Sequence, residues 1–468
     1  MQKALSRLDS RKSPGPDGIP SWILRDFADV LSAPVTNIFN STIIEGSLPT
    51  VWRQAEVVPI PKVNPPRSVT SDLRPISLTP VLSKSLESFV AQWLMDVIGP
   101  KIDPDQYGNI KGRSTAHALL RMLHEWCNST DESKAFVRVL LVDFSKAFDL
   151  IDHNIVINKL DSLGVPKVLI RWIHAFLSQR QQRVRLRDEV SDWLSINGGV
   201  PQGTKLGPIL FLVMINDLHL QLPTVKYVDD TTVFNVIRRD GTSVLQSEAD
   251  ILCQWCHTNG TRINTKKTVE LRIDFSKSQN DCSPLIINDH EISVVSKSKL
   301  LGVVVSDDLT WKENTSLICN RAKQRLYFLV HLKRAGLTSS DLLKMYCSFI
   351  RPVLEYCSTI WHFALTENET DNIERIQKRA LRIICGYEKS YDECLTECCL
   401  DSLAQRRLHS CKQLFDAIQC DKHVLHDLLP PTREISHSLR HVRDREPPLC
   451  HTNRCAKSFI NACLVSFQ

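Results

Sequence analysis

Two adjacent carboxylates set between apolar runs constrain this chain more than any other feature: Asp229 and Asp230, in the tetrapeptide Tyr227-Val228-Asp229-Asp230. The flanks TVKYV and TTVFNVI are rich in β-branched and aromatic residues, which predicts two short strands joined by a tight turn that holds both acids at a hairpin tip. Carboxylates ~4 Å apart repel by ~4 kcal/mol at an effective dielectric of about 20, so a fold that keeps them together calls for a cation. A hard divalent ion such as Mg2+ suits oxygen donors and phosphate substrates. An Asp-rich turn without such a role is the plain structural alternative, and the tetrapeptide alone does not separate the two.

A second acid upstream sharpens the reading. Val137 to Val142 is an apolar run that ends at Asp143, and the spacing of Phe148, Ile151, Ile155, Val156 and Leu160 beyond it predicts a helix. An acid at the carboxyl end of a buried strand is a poor core residue and a good ligand. Two-metal polymerases need a carboxylate shared between ions ~3.5 to 4 Å apart, and Asp143 with Asp229 and Asp230 would supply that set. The alternative for Asp143 is a helix N-cap, a place that Asp fills well.

Around these acids stands a longer series of motifs. SPGPDGIP at 13–20 and VVPIPK at 57–62 come first, followed by DLRPISLTPVLSKSLE at 72–87 and QYGNIKGRST at 106–115. DFSKAF at 143–148, GGVPQGTKLGPILF at 198–211, YVDD, WCHTNGTRINTKKT at 255–268 and KLLGVVVSDDLTW at 299–311 complete it. In this order the series resembles the reverse transcriptase of non-LTR retrotransposons, in particular the jockey-like and chicken-repeat-like LINE elements of animals. The resemblance implies an α+β, right-hand polymerase fold with fingers, an antiparallel-sheet palm and a helical thumb. It implies an RNA-directed DNA polymerase that uses two Mg2+ ions, or Mn2+ in their place, with an RNA template, a DNA primer and deoxynucleoside triphosphates as partners. The expected division is an N-terminal fingers extension at 1–42, fingers and palm at 43–310, thumb at 311–388 and a C-terminal region at 389–468.

The same resemblance assigns roles. Asp143, Asp229 and Asp230 match the metal-binding catalytic acids. Lys62 and Arg74 match fingers positions that grip the triphosphate, for which both are suitable donors. Phe148 matches the aromatic beneath the sugar, where a ring excludes a ribose 2′-hydroxyl. Gln202 and Gly203 match the loop at the template base and nucleotide, and Lys267 matches a lysine that protonates the departing pyrophosphate. The bland counterparts are solvated surface charge for Lys62 and Arg74, a core aromatic for Phe148, an ordinary turn for PQG, and Lys266 acting in place of Lys267. Relatives mostly carry Phe-Ala-Asp-Asp where this chain has Tyr-Val-Asp-Asp, and tyrosine-leucine-glycine where Leu300-Leu301-Gly302 stands as the primer grip. Because the first family motif stands so near residue 1, the chain is expected to lack the DNA-nicking domain that precedes the polymerase in relatives. The competing functional reading is a catalytically silent nucleic-acid-binding remnant of such an element.

Charge and cysteine content fit a nucleic-acid enzyme of the nucleus or cytoplasm. The net charge is +6 over 468 residues, so binding should depend on local patches. Three stand out: Arg171, Arg180, Arg183, Arg185 and Arg187 beside Trp172 and Phe176; Arg321, Lys323, Arg325, Lys333 and Arg334; and Arg375, Lys378, Arg379 and Arg382. The 16 cysteines follow no regular framework, which suggests reduced thiols. Cys394, Cys398 and Cys399, and the pair Cys450 and Cys455, invite a zinc reading that irregular spacing and missing histidine partners oppose. No apolar run reaches the ~20 residues of a membrane span. From Trp311 the pattern turns helical, with Thr338-Ser339 as an N-cap region, and DLLPPTREISHSLRHVRDREPP reads as a polar, proline-broken loop.

Overall fold

Apolar runs of period two sort into two sheets, and the three-and-four spacing beyond Trp311 sorts into helices. The structure, a computed structural model, describes residues 1–69, 72–132, 135–238, 241–276, 282–432 and 445–467. In chain order its strands are β1 (Gln54–Pro61), β2 (Leu73–Leu78), β3 (Phe136–Val142), β4 (Arg180–Leu186), β5 (Glu189–Val190), β6 (Leu194–Ile196), β7 (Thr224–Tyr227) and β8 (Asp230–Ile237). They continue as β9 (Val269–Asp274), β10 (Ile286–Ile287), β11 (His290–Glu291), β12 (Ser293–Val295), β13 (Lys297–Leu300) and β14 (Val303–Ser306).

The central sheet runs β12-β9-β3-β8-β7, antiparallel except for the parallel edge pair β12 and β9. β3 lies in the middle and is covered on both faces. Val137 and Val139 join one buried cluster with Trp126 and Phe234, whereas Leu140 and Val142 join a second with Met214 and Leu252, as the two-residue alternation of a strand requires. Arg138 points to the second face and is itself buried. Its Nε and Nη2 reach Glu270 Oε1 and Oε2 of β9 at 2.6 and 3.0 Å, the bidentate geometry that lets a charge pair survive away from water.

The second sheet runs β2-β1-β4-β5, with β6 on β4. β1 and β2 form an antiparallel pair, and β1 lies parallel to β4. This sheet and the central one give the chain the α+β, right-hand polymerase arrangement, with helices filling the C-terminal part. Buried Glu56 of β1 takes both Arg183 and Arg185 of β4, and Arg180, Trp172 and Phe176 are buried, whereas Arg171, Arg185 and Arg187 of the first basic patch remain exposed.

Two expected helices differ in the structure. Residues 145–150 form turns, and the helix begins only at His153–Ser162. Its N-cap is Asp152, which accepts from Asn154 N and Ile155 N at 2.8 and 3.1 Å, so capping is not the task of Asp143. The run from Ser339 to Trp361 breaks into Ser339–Met345, a π turn at Tyr346–Ile350 and the short helix Arg351–Glu355. Pro352 cannot donate to the carbonyl one turn back, and the helix widens there. Helices Lys312–Arg334, Glu367–Cys385 and Leu403–Ile418 follow the pattern, with Thr338 an N-cap as expected and capping boxes at Thr366/Glu369 and Ser402/Gln405. Part of the expected polar loop, 433–444, lies outside the described residues. Among those described, no helix is long and apolar enough to cross a membrane.

Candidate active site

The turn between β7 and β8 is two residues long. Tyr227 pairs with Asp230, so Val228 and Asp229 make the turn and Asp230 opens β8, one place later than a turn holding both acids. Val228 has φ +60, a left-handed conformation that a β-branched residue adopts only when its surroundings impose it. The imposing segment is Gln106-Tyr107-Gly108. Buried Gln106 accepts at Oε1 from Val228 N at 2.9 Å and from Gly108 N at 2.8 Å, while Tyr107 N donates to Lys226 O at 2.7 Å. A Cβ on Gly108 would stand 2.5 Å from both Val228 N and Val228 Cγ2, so only glycine lets the backbone press this close. Beneath the turn, buried Lys226 reaches Asp103 Oδ2 and Leu218 O, each at 2.5 Å.

Asp143 follows the last residue of β3, and the register Val142↔Thr231 sets it beside the start of β8. The turn after Ile263 holds it from the other side. Asn264 Nδ2 donates to Asp143 Oδ2 at 2.9 Å, Thr268 Oγ1 accepts from Asp143 N at 3.2 Å, and Lys267 Nζ stands 3.8 Å from Asp143 Oδ2. Gln106, Asn264 and Thr268 are positioning residues that sequence reasoning missed. They lie inside quoted motifs, but no residue-type signal separates a side chain that orients an acid from one that caps a turn.

Asp229 and Asp230 both feel neighbouring acids. Loss of water around Asp229, with repulsion from Asp143, raises its carboxyl above the usual range against the pull of its own backbone N–H. Asp230 remains partly open to solvent, yet desolvation by its surroundings, then Asp229 and Asp143, raise it to about 6. Among the described residues no three His, Cys, Asp or Glu side chains converge tightly enough to hold an ion as they stand. Asp143 is turned toward Asn264 and Lys267 instead. In kind, though, the donor set fits a hard divalent cation: all oxygen, negatively charged and mutually repelling.

A second group adjoins the turn after Asp143. Phe148 is half-buried against Phe211, ring centroids 5.1 Å apart and tilted by 34°, and its carbonyl accepts from Val200 N at 2.8 Å. Gln202 Nε2 donates to Asp149 Oδ1 at 3.3 Å, and Gln202 O accepts from Ser77 N of β2 at 2.8 Å. Gly203 has φ +109, and a Cβ there would meet Ser77 O at 3.0 Å. The PQG loop thus joins β2 to the DFSKAF turn. Arg74 lies on the exposed side of β2 opposite Ile60, and exposed Lys62 stands just past β1, its N donating to Asp72 O at 2.7 Å. Direct contacts unite Asp143 with Lys267, and Gln202 with the segment of Phe148; Lys62 and Arg74 occupy the neighbouring hairpin.

Leu301 and Gly302 form the β13–β14 turn, with φ +46 and +92, and Tyr356 Oη donates to Leu301 O at 2.8 Å. Of the cysteine groupings, the pair Cys450 and Cys455 comes together with Sγ atoms 3.2 Å apart, whereas in the other Cys398 lies 3.4 Å from Cys385 and Cys399 is exposed.

The model of the reverse transcriptase (RNA-dependent DNA polymerase) family matches residues 60–305, and that of the N-terminal part of alkylated DNA repair protein alkB homolog 8 matches 311–351. The chain is 27% identical over 403 residues to the probable RNA-directed DNA polymerase from transposon BS of Drosophila melanogaster, covering 82% of this chain and 44% of that protein. It is 25% identical over 402 residues to the RNA-directed DNA polymerase from mobile element jockey of the same fly, covering 82% and 43%. The chain therefore spans less than half the length of these relatives. Among solved structures, telomerase from Candida albicans in complex with a telomeric RNA fragment is similar at a TM-score of 0.40 and 12% identity, covering 87% of this chain and 63% of that one.

Proposed function

Because the chain belongs to the reverse transcriptase (RNA-dependent DNA polymerase) family, with relatives among the polymerases of non-LTR retrotransposons, we propose that it extends a DNA primer on an RNA template from deoxynucleoside triphosphates. The observation that carries this reading is the group of Asp143, Asp229 and Asp230, built from two strands and a turn held in a strained conformation, with Asp230 raised to about 6. A protein that concentrates carboxylates at such a point has prepared a place for cations.

Asp143, Asp229 and Asp230 are the residues that would hold two Mg2+ ions. Bound there, the ions would lower the charge on the attacking and leaving oxygens of a nucleotidyl transfer. The chain's own groups do the rest. Gln106 fixes the Asp229 turn, Asn264 orients Asp143, and Lys267 stands close enough to Asp143 to deliver a proton to the departing pyrophosphate. The Phe148 ring closes the sugar side of the pocket, Gln202 and Gly203 guide template base and nucleotide, and Lys62 and Arg74 bind the triphosphate. In this reading 1–42 extends the fingers, 43–310 is fingers and palm, 311–388 is the thumb, and 389–468 is a C-terminal region.

Primer extension on poly(rA)/oligo(dT) with Mg2+ tests the proposal. Wild type should extend, and Asp229→Asn should lose all but a few per cent of the activity while its melting temperature and template-primer affinity hold. Extension by Asp229→Asn at wild-type rate would remove this acid from the chemistry. Binding without extension by the wild type would identify a silent remnant.

A further inference from the structure

Helix Lys312–Arg334 turns Ile318, Ala322, Leu326 and Leu329 into the core and leaves the opposite face bare. On that face two large aromatics stand in solvent: Tyr327 is 63% exposed and Phe328 52%. Burial does not explain them, since most of each ring is unburied, and large rings placed together on a helix surface mark an interaction site more often than chance. They are also not independent of their neighbours. The Tyr327 ring lies 4.1 Å from that of exposed His331 and 5.9 Å from Phe328, and Phe328 meets Phe349 edge-on at 6.2 Å. Arg325 sits over Phe349 at 4.3 Å and donates to its carbonyl, which locks the far end of the row. The rings are therefore held in place before any partner arrives.

The charge around the row selects the partner. From Asn314 to Arg334 the helix carries no acidic residue and five Lys or Arg. Arg321, Lys323 and Arg334 are exposed beside the rings. A protein partner with an apolar face would be repelled by nothing here but would gain little from the cations; a polyanion that also offers flat faces matches both. Paired bases hide their faces within the stack, so a duplex could use the cations and not the rings. Aromatic platforms flanked by basic side chains are what unpaired nucleotides bind, bases stacking and phosphates meeting the cations.

We propose that Tyr327, Phe328 and His331, with Arg321, Lys323 and Arg334, form a platform for single-stranded nucleic acid, distinct from the polymerisation site. This rests on the nucleic-acid reading above, and it names an unpaired strand as the partner. A template tail and a displaced DNA strand share the chemistry.

Fluorescence anisotropy with labelled oligo(rU), oligo(dT) and a blunt RNA/DNA hybrid tests it, using the full chain. Tyr327→Ala with Phe328→Ala should weaken single-strand binding by roughly tenfold or more, leave the hybrid within about twofold, and leave extension of a pre-annealed primer unchanged. Tyr327→Trp, which keeps a ring, should bind single strands like wild type. A larger loss on oligo(rU) than on oligo(dT) assigns the platform to RNA, and the reverse to DNA. Equal losses on hybrid and single strands would overturn the proposal in favour of a duplex contact. Unchanged binding, with loss of self-association on sedimentation, would overturn it in favour of a contact between copies. A wild type that fails to extend primers yet binds single strands through these rings would sink the polymerase reading alone, and the opposite pair of results would sink the platform alone.

Discussion

At the scale of single residues, the acids of the candidate site are held at a cost that an ion would offset. Asp230 is raised to about 6 from 3.8, by desolvation first and then by Asp229 and Asp143. For an acid whose folded value lies above its unfolded one, the sign is fixed: the folded state is penalised at neutral pH, and the penalty fades as pH falls through about 6 toward 3.8. Without metal, Asp230→Asn should therefore melt higher than wild type at neutral pH, with the difference shrinking toward the acid end of that window. Added Mg2+ should raise the melting temperature of wild type more than that of the variant, because a ligand of the folded state stabilises it by mass action. Identical Mg2+ responses would mean that Asp230 does not bind the ion. Phe148 poses a different question, because half-burial against Phe211 suits both a pocket wall and a core ring. If it gates the sugar, Phe148→Ala should admit CTP with a modest fall in dCTP use. If it serves packing alone, a cavity costing up to ~3 to 5 kcal/mol should depress every activity together. The ratio of kcat/KM for dCTP and CTP, taken with a melting curve, decides between them.

At the scale of elements, the hairpin of β7 and β8 is aimed by a segment far away in sequence. Gly108 presses on Val228, and a Cβ there would overlap its backbone N. Gly108→Ala should push the turn aside by a fraction of an ångström to an ångström and cost on the order of 100-fold in extension, since small misplacements of reacting groups are that expensive. The fold around it should persist, visible as an unchanged circular dichroism spectrum. Retained extension would show that the clamp does not set the position of Asp229. This clamp also marks the boundary of what the sequence reveals. β3, the β7–β8 hairpin and the helices after Trp311 announce themselves by period, because their burial is periodic. The 145–150 segment shows apolar spacing without forming a helix, since Phe144, Ala147 and Ile151 are buried by a core that turns around them. Nothing in the first basic patch showed that β4 would pair with β1, bring Glu56 to Arg183 and Arg185 and leave Arg180 buried while Arg171 and Arg187 stay exposed. Local pattern cannot announce a partner on a distant strand, and for the same reason Gln106 and Asn264 gave no sign of their contacts with Val228 and Asp143.

At the scale of the molecule, one buried cluster runs from Val137 and Phe234 of the central sheet, through Leu326 and Ile376 of the C-terminal helices, to Phe459 and Leu464 near the end of the chain. The last described segment is therefore a strap across the sheet and the helices rather than an appendage. Its fastening is polar: Asp131, just past helix Thr115–Ser129, accepts from His451 N and Thr452 N at 2.8 Å each and from Thr452 Oγ1 at 2.6 Å, and Arg454 Nη2 donates to Thr130 O at 2.8 Å. Burial opposes ionisation of Asp131, but these donors outweigh it and hold the carboxyl below its usual 3.8. A depressed acid contributes stability that is present above the unfolded value and is lost as pH falls through the folded one. Asp131→Ala should accordingly lower the melting temperature at neutral pH, by the equivalent of about 1 to 3 kcal/mol for a charged acceptor removed from its donors. The gap between variant and wild type should close as pH drops below 3.8 and wild-type Asp131 takes up its proton. Because the strap shares its core with sheet and helices, the variant should still unfold in one transition, only earlier. Melting curves recorded across that pH range decide it: a gap that persists undiminished in acid would show that Asp131 acts by packing, and a separate early transition would show that the C-terminal segment lets go alone.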